Sequence, residues 1–247
     1  MARMQLLWLT PLLIGCMSAS SVGEVDANDV ARSRTNLGLA YLEHGQWQRA
    51  RQNIEIALQA APDNVHAHVG LAYYLQKVNE DNQAMLQYEK ALSLAPNEPD
   101  LLNNYGVFLC HIGEYAKAEK AFLRAIKQKG YYKLSVSYEN AGLCAIKFNH
   151  VIKAKNWFEK AVSHEPNRYL STLYLSKLDF ALSECALLEA RLRTFHQRYG
   201  YHAATLLALI KIEKHRGYGV KIEKYARLLE EKFPQSQEYR QYLDNEF

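Results

Sequence analysis

Small residues and prolines in this chain return every 34 positions, and a period of that size admits few folds. Ala50, Ala84 and Ala118 keep the interval, as do Ala57, Ala91 and Ala125, while Pro62 and Pro96 close the first two units. A unit this short cannot bury its own apolar face, so copies must stack and share one continuous core. Gly38, Ala72, Gly106 and Gly142 supply a small residue early in each unit, and Ala50, Ala84, Ala118 and Ala154 supply one later. Such pairs let two helices of a unit cross closely. Ile54, Tyr88, Phe122 and Phe158 are then expected to pack each second helix against the next unit. Proline ends a helix because it lacks an N–H and restricts its predecessor, so Pro62, Pro96 and Pro166 should stop the second helices. The fourth unit sits 36 residues after the third, which places an insertion of about two residues near Gly130-Tyr131-Tyr132. The expectation is an all-α stacked array with nothing that reads as a strand.

Beyond Pro166 the register weakens. Residues 29–166 hold four well-formed units. Residues 167–247 keep helical apolar spacing and are expected to form two degenerate units with a terminal cap, about six helix pairs in all. Glu223, Lys224, Glu230, Glu231 and Lys232 would give the cap a polar outer face. The 247 residues carry a net charge of only +4, mixed through the units, so nothing marks a nucleic-acid surface. A monomer is expected.

The N-terminus has a different character. Arg3 precedes an almost wholly apolar run from Leu6 to Ile14, too short to span a membrane and laid out like an export signal. Its ending, Leu13-Ile14-Gly15-Cys16, resembles a bacterial lipobox, in which the Cys16 thiol takes a diacylglycerol and becomes the mature N-terminus. Met17 follows where Asp would retain a lipoprotein at the inner membrane. The resemblance therefore implies a lipid anchor at the periplasmic face of the outer membrane, with residues 17–28 as a tether.

No catalytic constellation emerges, so an enzyme is not expected. His66 and His68 are two apart and point to different sides of a helix, and no metal-ligand spacing or phosphate-cradling glycine loop is present. No cofactor is implied. Cys110, Cys144 and Cys185 fall on apolar helix faces. Helices pack 8–10 Å apart whereas bridged Cα atoms need less than about 7 Å, so three buried thiols are expected rather than a disulfide.

The Leu-Gly-x2-Tyr, Ala-x3-Phe, Ala and Pro positions resemble the tetratricopeptide repeat, which implies a right-handed solenoid. In that family the first helix of each unit lines a concave groove. Transferring its lining positions gives Arg32, Thr35, Leu39 and Leu42, then His66, Val69, Tyr73 and Gln76, then Asp100, Asn103, Val107 and Cys110. From these, Leu39, His66, Val69, Tyr73, Gln76, Asn103 and Val107 are the candidate partner-binding residues, with Tyr73 foremost. The basic set that clamps a peptide carboxylate in chaperone-binding relatives is missing. An apolar strip through Leu39, Val69, Tyr73 and Val107 suits an amphipathic helix or an extended apolar segment.

Asn36-Leu37-Gly38, Tyr41, Asn103-Asn104-Tyr105-Gly106, Gly113, Tyr115, Ala118 and the ending Phe233-Pro234-x-Ser236-x-Glu238-Tyr239 are similar to the type IV pilus biogenesis and stability proteins. Arg34 stands where that family usually has Trp, and the fifth unit diverges. The resemblance implies a pilotin that carries the secretin subunit to the outer membrane and assists its multimerisation. The competing expectation is a lipid-anchored scaffold for another envelope complex, in outer-membrane protein insertion or cell-wall synthesis.

Overall fold

Several helices of the array start at a side-chain cap or a proline. The computed structural model describes residues 26–181, 185–217 and 219–245, so Cys16 and the export-signal expectation lie outside the described residues. Among the described residues all regular structure is helical, in the order α1 (Ala27–Glu43), α2 (Trp47–Ala60), α3 (Val65–Lys77), α4 (Asp81–Leu94), α5 (Pro99–His111), α6 (Tyr115–Ile126), α7 (Leu134–Lys147), α8 (Val151–His164), α9 (Tyr169–Ala181), α10 (Cys185–Tyr199), α11 (Ala203–Arg216), α12 (Gly219–Lys232) and α13 (Gln237–Leu243). The carboxylate of Asp26 caps α1 by accepting from Asn28 N, and Asn64 caps α3 by accepting from Ala67 N at 3.0 Å. Pro99 opens α5 at its first turn, where a missing N–H costs nothing. The turn inside each of the first four units needs one residue at positive φ, taken by Gly45, Asn79, Gly113 and Asn149. Asparagine tolerates that left-handed conformation better than most residues, so the turn survives its substitution for glycine.

Consecutive helices pair within a unit, and the first helices α1, α3, α5, α7, α9 and α11 stack on one another to make a solenoid closed by α13. The intra-unit crossing is tight. A Cβ added at Gly106 would lie 2.7 Å from the Phe122 ring, and one at Gly142 would lie 2.7 Å from Phe158. Phe122 and Phe158 are thus seated over the glycine of their own unit as well as facing the next. Phe122 shares a cluster with Ala141 and Cys144 of the following unit, and Phe158 stacks on Tyr174 at 5.1 Å. Ala50, Ala84, Ala118 and Ala154 are fully buried on the other side of each crossing. Burial of each large side chain contributes about 1.5–3 kcal/mol.

The cysteines depart from expectation. Cys110 and Cys144 form a disulfide between α5 and α7, with Cα atoms 5.8 Å apart. The expectation failed because helix-axis separation is not Cα separation. Each Cα stands about 2.3 Å off its axis, so two that face each other across 8–10 Å approach to roughly 3.5–5.5 Å, and slightly offset ones remain within bridging distance. The two-residue insertion between the units also shifts Cys144 by half a turn relative to a strict repeat. The side chain of Cys185 lies outside the described residues.

The last two pairs, α9/α10 and α11/α12, bury a carboxylate at the repeat position held by Tyr41, Leu75, Leu109 and Ala145 in the first four units. Asp179 is fully buried, with Oδ2 2.7 Å from Arg191 Nε and Oδ1 3.1 Å from Lys155 Nζ. Glu213, which falls 34 positions later, is also fully buried and has Lys221 Nζ at 3.3 Å. Glu139 accepts from Arg168 at 2.7 Å and from Ser171 Oγ at 2.7 Å, tying α7 to α9.

Two outcomes are expected. Gly106→Val places a branched side chain where the Phe122 ring sits and should lower stability by about 1–3 kcal/mol in urea unfolding, whereas Gly113→Asn should be nearly neutral. Thiol titration of the denatured, unreduced chain should leave Cys110 and Cys144 unreactive. The Cys110→Ser/Cys144→Ser chain should lose about 3–4 kcal/mol from the opened 34-residue loop.

Candidate functional site

The first helices present their exposed side chains to one face, and on that face a groove of about 430 Å³ opens across α1, α3, α5 and α7. Its wall brings together all seven candidate residues: Leu39 from α1, His66, Val69, Tyr73 and Gln76 from α3, and Asn103 and Val107 from α5. Leu39 and Val69 are half-buried and also rest on the core beneath. Tyr73 and Val107 are the outward apolar surfaces, 37% and 39% exposed. Lys77 Nζ lies 5.1 Å from the Tyr73 ring centroid, a cation–π contact that holds the ring on the groove wall.

Asn103 plays a different part from the one its position suggested. Its side chain is buried, and Oδ1 accepts from Ser137 Oγ at 2.9 Å and from Asn140 Nδ2 at 3.1 Å. It forms the floor and fixes α5 to α7. The outward polar groups are Asn104 and Asn140, which also line the groove. Asn36, Gly70, Asn104 and Asn140 occupy one repeat position, at intervals of 34, 34 and 36. The row of carboxamides is interrupted at Gly70, where a Cβ would lie 2.5 Å from Thr35 Cγ2, so the side chain of the preceding unit already fills that space. Carried across the two-residue insertion into α7, the transferred lining positions give Val136, Glu139, Leu143 and Ile146, so Asn140 was missed because its repeat position, shared with Asn36 and Asn104, is not among them.

Of the other transferred positions, Thr35 and Leu42 are buried in the core, and Cys110 is disulfide-bonded. Arg32 pairs with Asp29 at 2.7 Å, and Asp100 pairs with Lys133 at 2.6 Å. Helix geometry separates His66 from His68 as expected. His66 Nε2 meets Asn36 Oδ1 at 2.8 Å on the groove, while buried His68 bridges Gln87 Oε1 and Pro62 O, each at 2.8 Å.

The groove wall contains no Lys, Arg, Asp or Glu. Burial, assisted by the nearby Arg32 charge, holds the His66 imidazole below its ordinary value, so at neutral pH the groove is uncharged. Such a surface recognises apolar side chains and peptide groups. Among the described residues no cluster of His, Cys, Asp and Glu is arranged to hold a metal ion, and no helix is long and apolar enough to cross a membrane.

Stacked antiparallel helix pairs that expose their first helices along a groove define a tetratricopeptide-repeat scaffold. The chain matches the tetratricopeptide-repeat family over residues 35–99 and again over 87–120. It is 30% identical over 236 residues to the type IV pilus assembly protein PilF of Pseudomonas aeruginosa, covering 93% of each chain. The solved structure of Pseudomonas aeruginosa PilF superposes with a TM-score of 0.72 at 29% identity, covering 88% of this chain and 99% of that one. The structure of PilW, a widely conserved type IV pilus biogenesis factor, has the same fold, with a TM-score of 0.72 at 24% identity over 87% of this chain and 98% of that one. The chain belongs to the PilF family of type IV pilus assembly proteins. It is a protein-interaction scaffold and not an enzyme.

Removing the Arg32 charge should raise the His66 pKa. NMR titration of Arg32→Ala is expected to move the His66 midpoint toward about 6.5 without reaching it, because burial is the larger cause. A histidine whose folded pKa is depressed stabilises the fold fully above about pH 6.5 and loses that contribution as pH falls below it. His66→Gln should flatten this part of the stability profile.

Proposed function

We propose that this chain acts as a pilotin in type IV pilus assembly, holding a segment of the outer-membrane secretin subunit in its groove until the subunits multimerise. Membership of the PilF family supports the pilus setting, and the observation that carries the mode of action is the uncharged groove across α1, α3, α5 and α7. An uncharged wall with outward Tyr73 and Val107 favours an extended or amphipathic apolar segment, which an unassembled subunit would otherwise expose. Covering that segment suppresses premature association.

Lipidation at Cys16 would complete the mechanism. Acyl chains contribute roughly 0.8 kcal/mol per buried methylene, so two or three anchor the protein firmly. Anchoring at the periplasmic face of the outer membrane raises the local concentration of the held subunit and makes its assembly effectively intramolecular. The Cys110–Cys144 disulfide supports an exported location, since such bonds persist in oxidising compartments.

The test compares heat-stable secretin multimers, by immunoblot of separated membranes, in wild type, a deletion strain, Cys16→Ala and Tyr73→Ala/Val107→Glu. Loss of multimers in the deletion, mislocalised multimers in Cys16→Ala, and fewer multimers in the groove variant, with a drop of roughly tenfold or more in its affinity for a secretin segment by calorimetry, are expected. Normal multimers in the deletion strain would overturn the pilotin role and direct attention to other envelope complexes.

A further inference from the structure

The solenoid has two edges. One holds the turns inside units; the other holds the loops that join units, and the N-terminus of α1 lies on the second, since Asn64 Nδ2 donates to Asn28 Oδ1 at 3.0 Å. Carboxylates on this joining edge are engaged by cations: Asp63 by Lys90, Asp100 by Lys133 and Glu165 by Arg168. The loop between α6 and α7 differs from its neighbours. It holds the two-residue insertion and reads Lys127-Gln128-Lys129-Gly130-Tyr131-Tyr132-Lys133. Tyr131 folds inward, with its hydroxyl 3.0 Å from Ser137 Oγ. Tyr132 points the other way and is 82% exposed, the most exposed aromatic among the described residues. Lys133 Nζ lies 5.3 Å from its ring centroid, and the exposed Lys127 and Lys129 have no ion-pair partner among the described residues.

We propose that this loop is a second membrane contact, in which Lys127 and Lys129 meet anionic lipid headgroups and Tyr132 enters the interfacial layer. The inference rests on the lipid-anchor reading of Cys16. Nine residues separate Cys16 from Asp26, a reach of at most roughly 35 Å. An anchor at Cys16 therefore keeps the α1 end of the joining edge close to the bilayer, and the loop stands farther along that same edge. Exposed tyrosine flanked by lysines matches the chemistry of that layer, where an amphipathic ring sits at headgroup depth and each lysine adds attraction to anionic lipid. Lipid and loop together would fix the orientation of the solenoid, with the groove running along the membrane. A single anchor would leave the solenoid free to rotate.

Residues 17–247 would be tethered to vesicles by an N-terminal hexahistidine on a nickel-chelating lipid, which supplies the anchor whether or not Cys16 is acylated in cells. Tyr132→Trp and Val220→Trp report on the two edges, because Val220 is 84% exposed beside the turn inside the last unit. With brominated lipids in phosphatidylglycerol vesicles, and the emission of Trp47 and Trp157 subtracted, the indole at 132 should lose roughly half its signal and that at 220 almost none. Lys127→Gln/Lys129→Gln should lower the partitioning of untethered chain onto these vesicles by roughly 25-fold. Equal quenching at both positions, no quenching at 132, or partitioning indifferent to the lysines or to phosphatidylglycerol would overturn the loop contact. The mass of the N-terminal peptide from cells tests acylation separately, so failure of the anchor and failure of the loop are distinguishable.

Discussion

The close crossing of the two helices in each unit is the contact on which the rest of this structure depends. At Gly106 and Gly142 the space of a Cβ is already filled by the ring of Phe122 or Phe158. In the first unit Ile54 does the same above Gly38, and in the second Ala72 and Tyr88 share a cluster at the equivalent place. Because the ring sits deep in its own unit, its far edge reaches the next one, so a single residue closes a pair and joins it to its successor. Regular spacing between first helices follows, and with it both the Cα separation that permits the Cys110–Cys144 disulfide and the width of the groove.

The C-terminal pairs keep the architecture with different chemistry. Asp179 and Glu213 stand 34 residues apart, fully buried, each reached by cations from neighbouring helices. Charge in a core is costly to desolvate, and an ion pair returns that cost only when its geometry is good. What such pairs add is selectivity, since a shifted or misordered stack would leave a buried carboxylate without its cation. The shared 34-residue spacing suggests that the last two units descend from the same repeat, and Leu188 and Ile222 at the position that earlier units give to Ala154 and its equivalents explain why they read as degenerate.

The groove completes the connection to function. Its wall combines apolar surface at Leu39, Val69, Tyr73 and Val107 with outward carboxamides at Asn104 and Asn140, and His66 is held neutral beside them. Recognition there depends on shape, apolar area and hydrogen bonds to peptide groups, and it responds weakly to salt. That behaviour suits reversible cover for an apolar segment. A scaffold of this kind performs no chemistry. Its contribution is placement.

Much of this was legible in the chain before folding. A 34-residue period in Gly, Ala and Pro determined the class of fold, the helix pairs and the insertion before the fourth unit, and the lining positions implied by the tetratricopeptide resemblance meet in one groove because stacking repeats converts periodicity along the sequence into adjacency in space. Helical spacing likewise separated His66 from His68. Only the tertiary structure decided the rest. It paired Cys110 with Cys144, buried Asn103 while turning Asn104 and Asn140 outward, and matched Asp179 with Lys155 and Arg191. Each of these depends on distances of a few ångströms between atoms on different helices, and such distances are set by how side chains of particular volume seat across a crossing, which a repeat period does not encode.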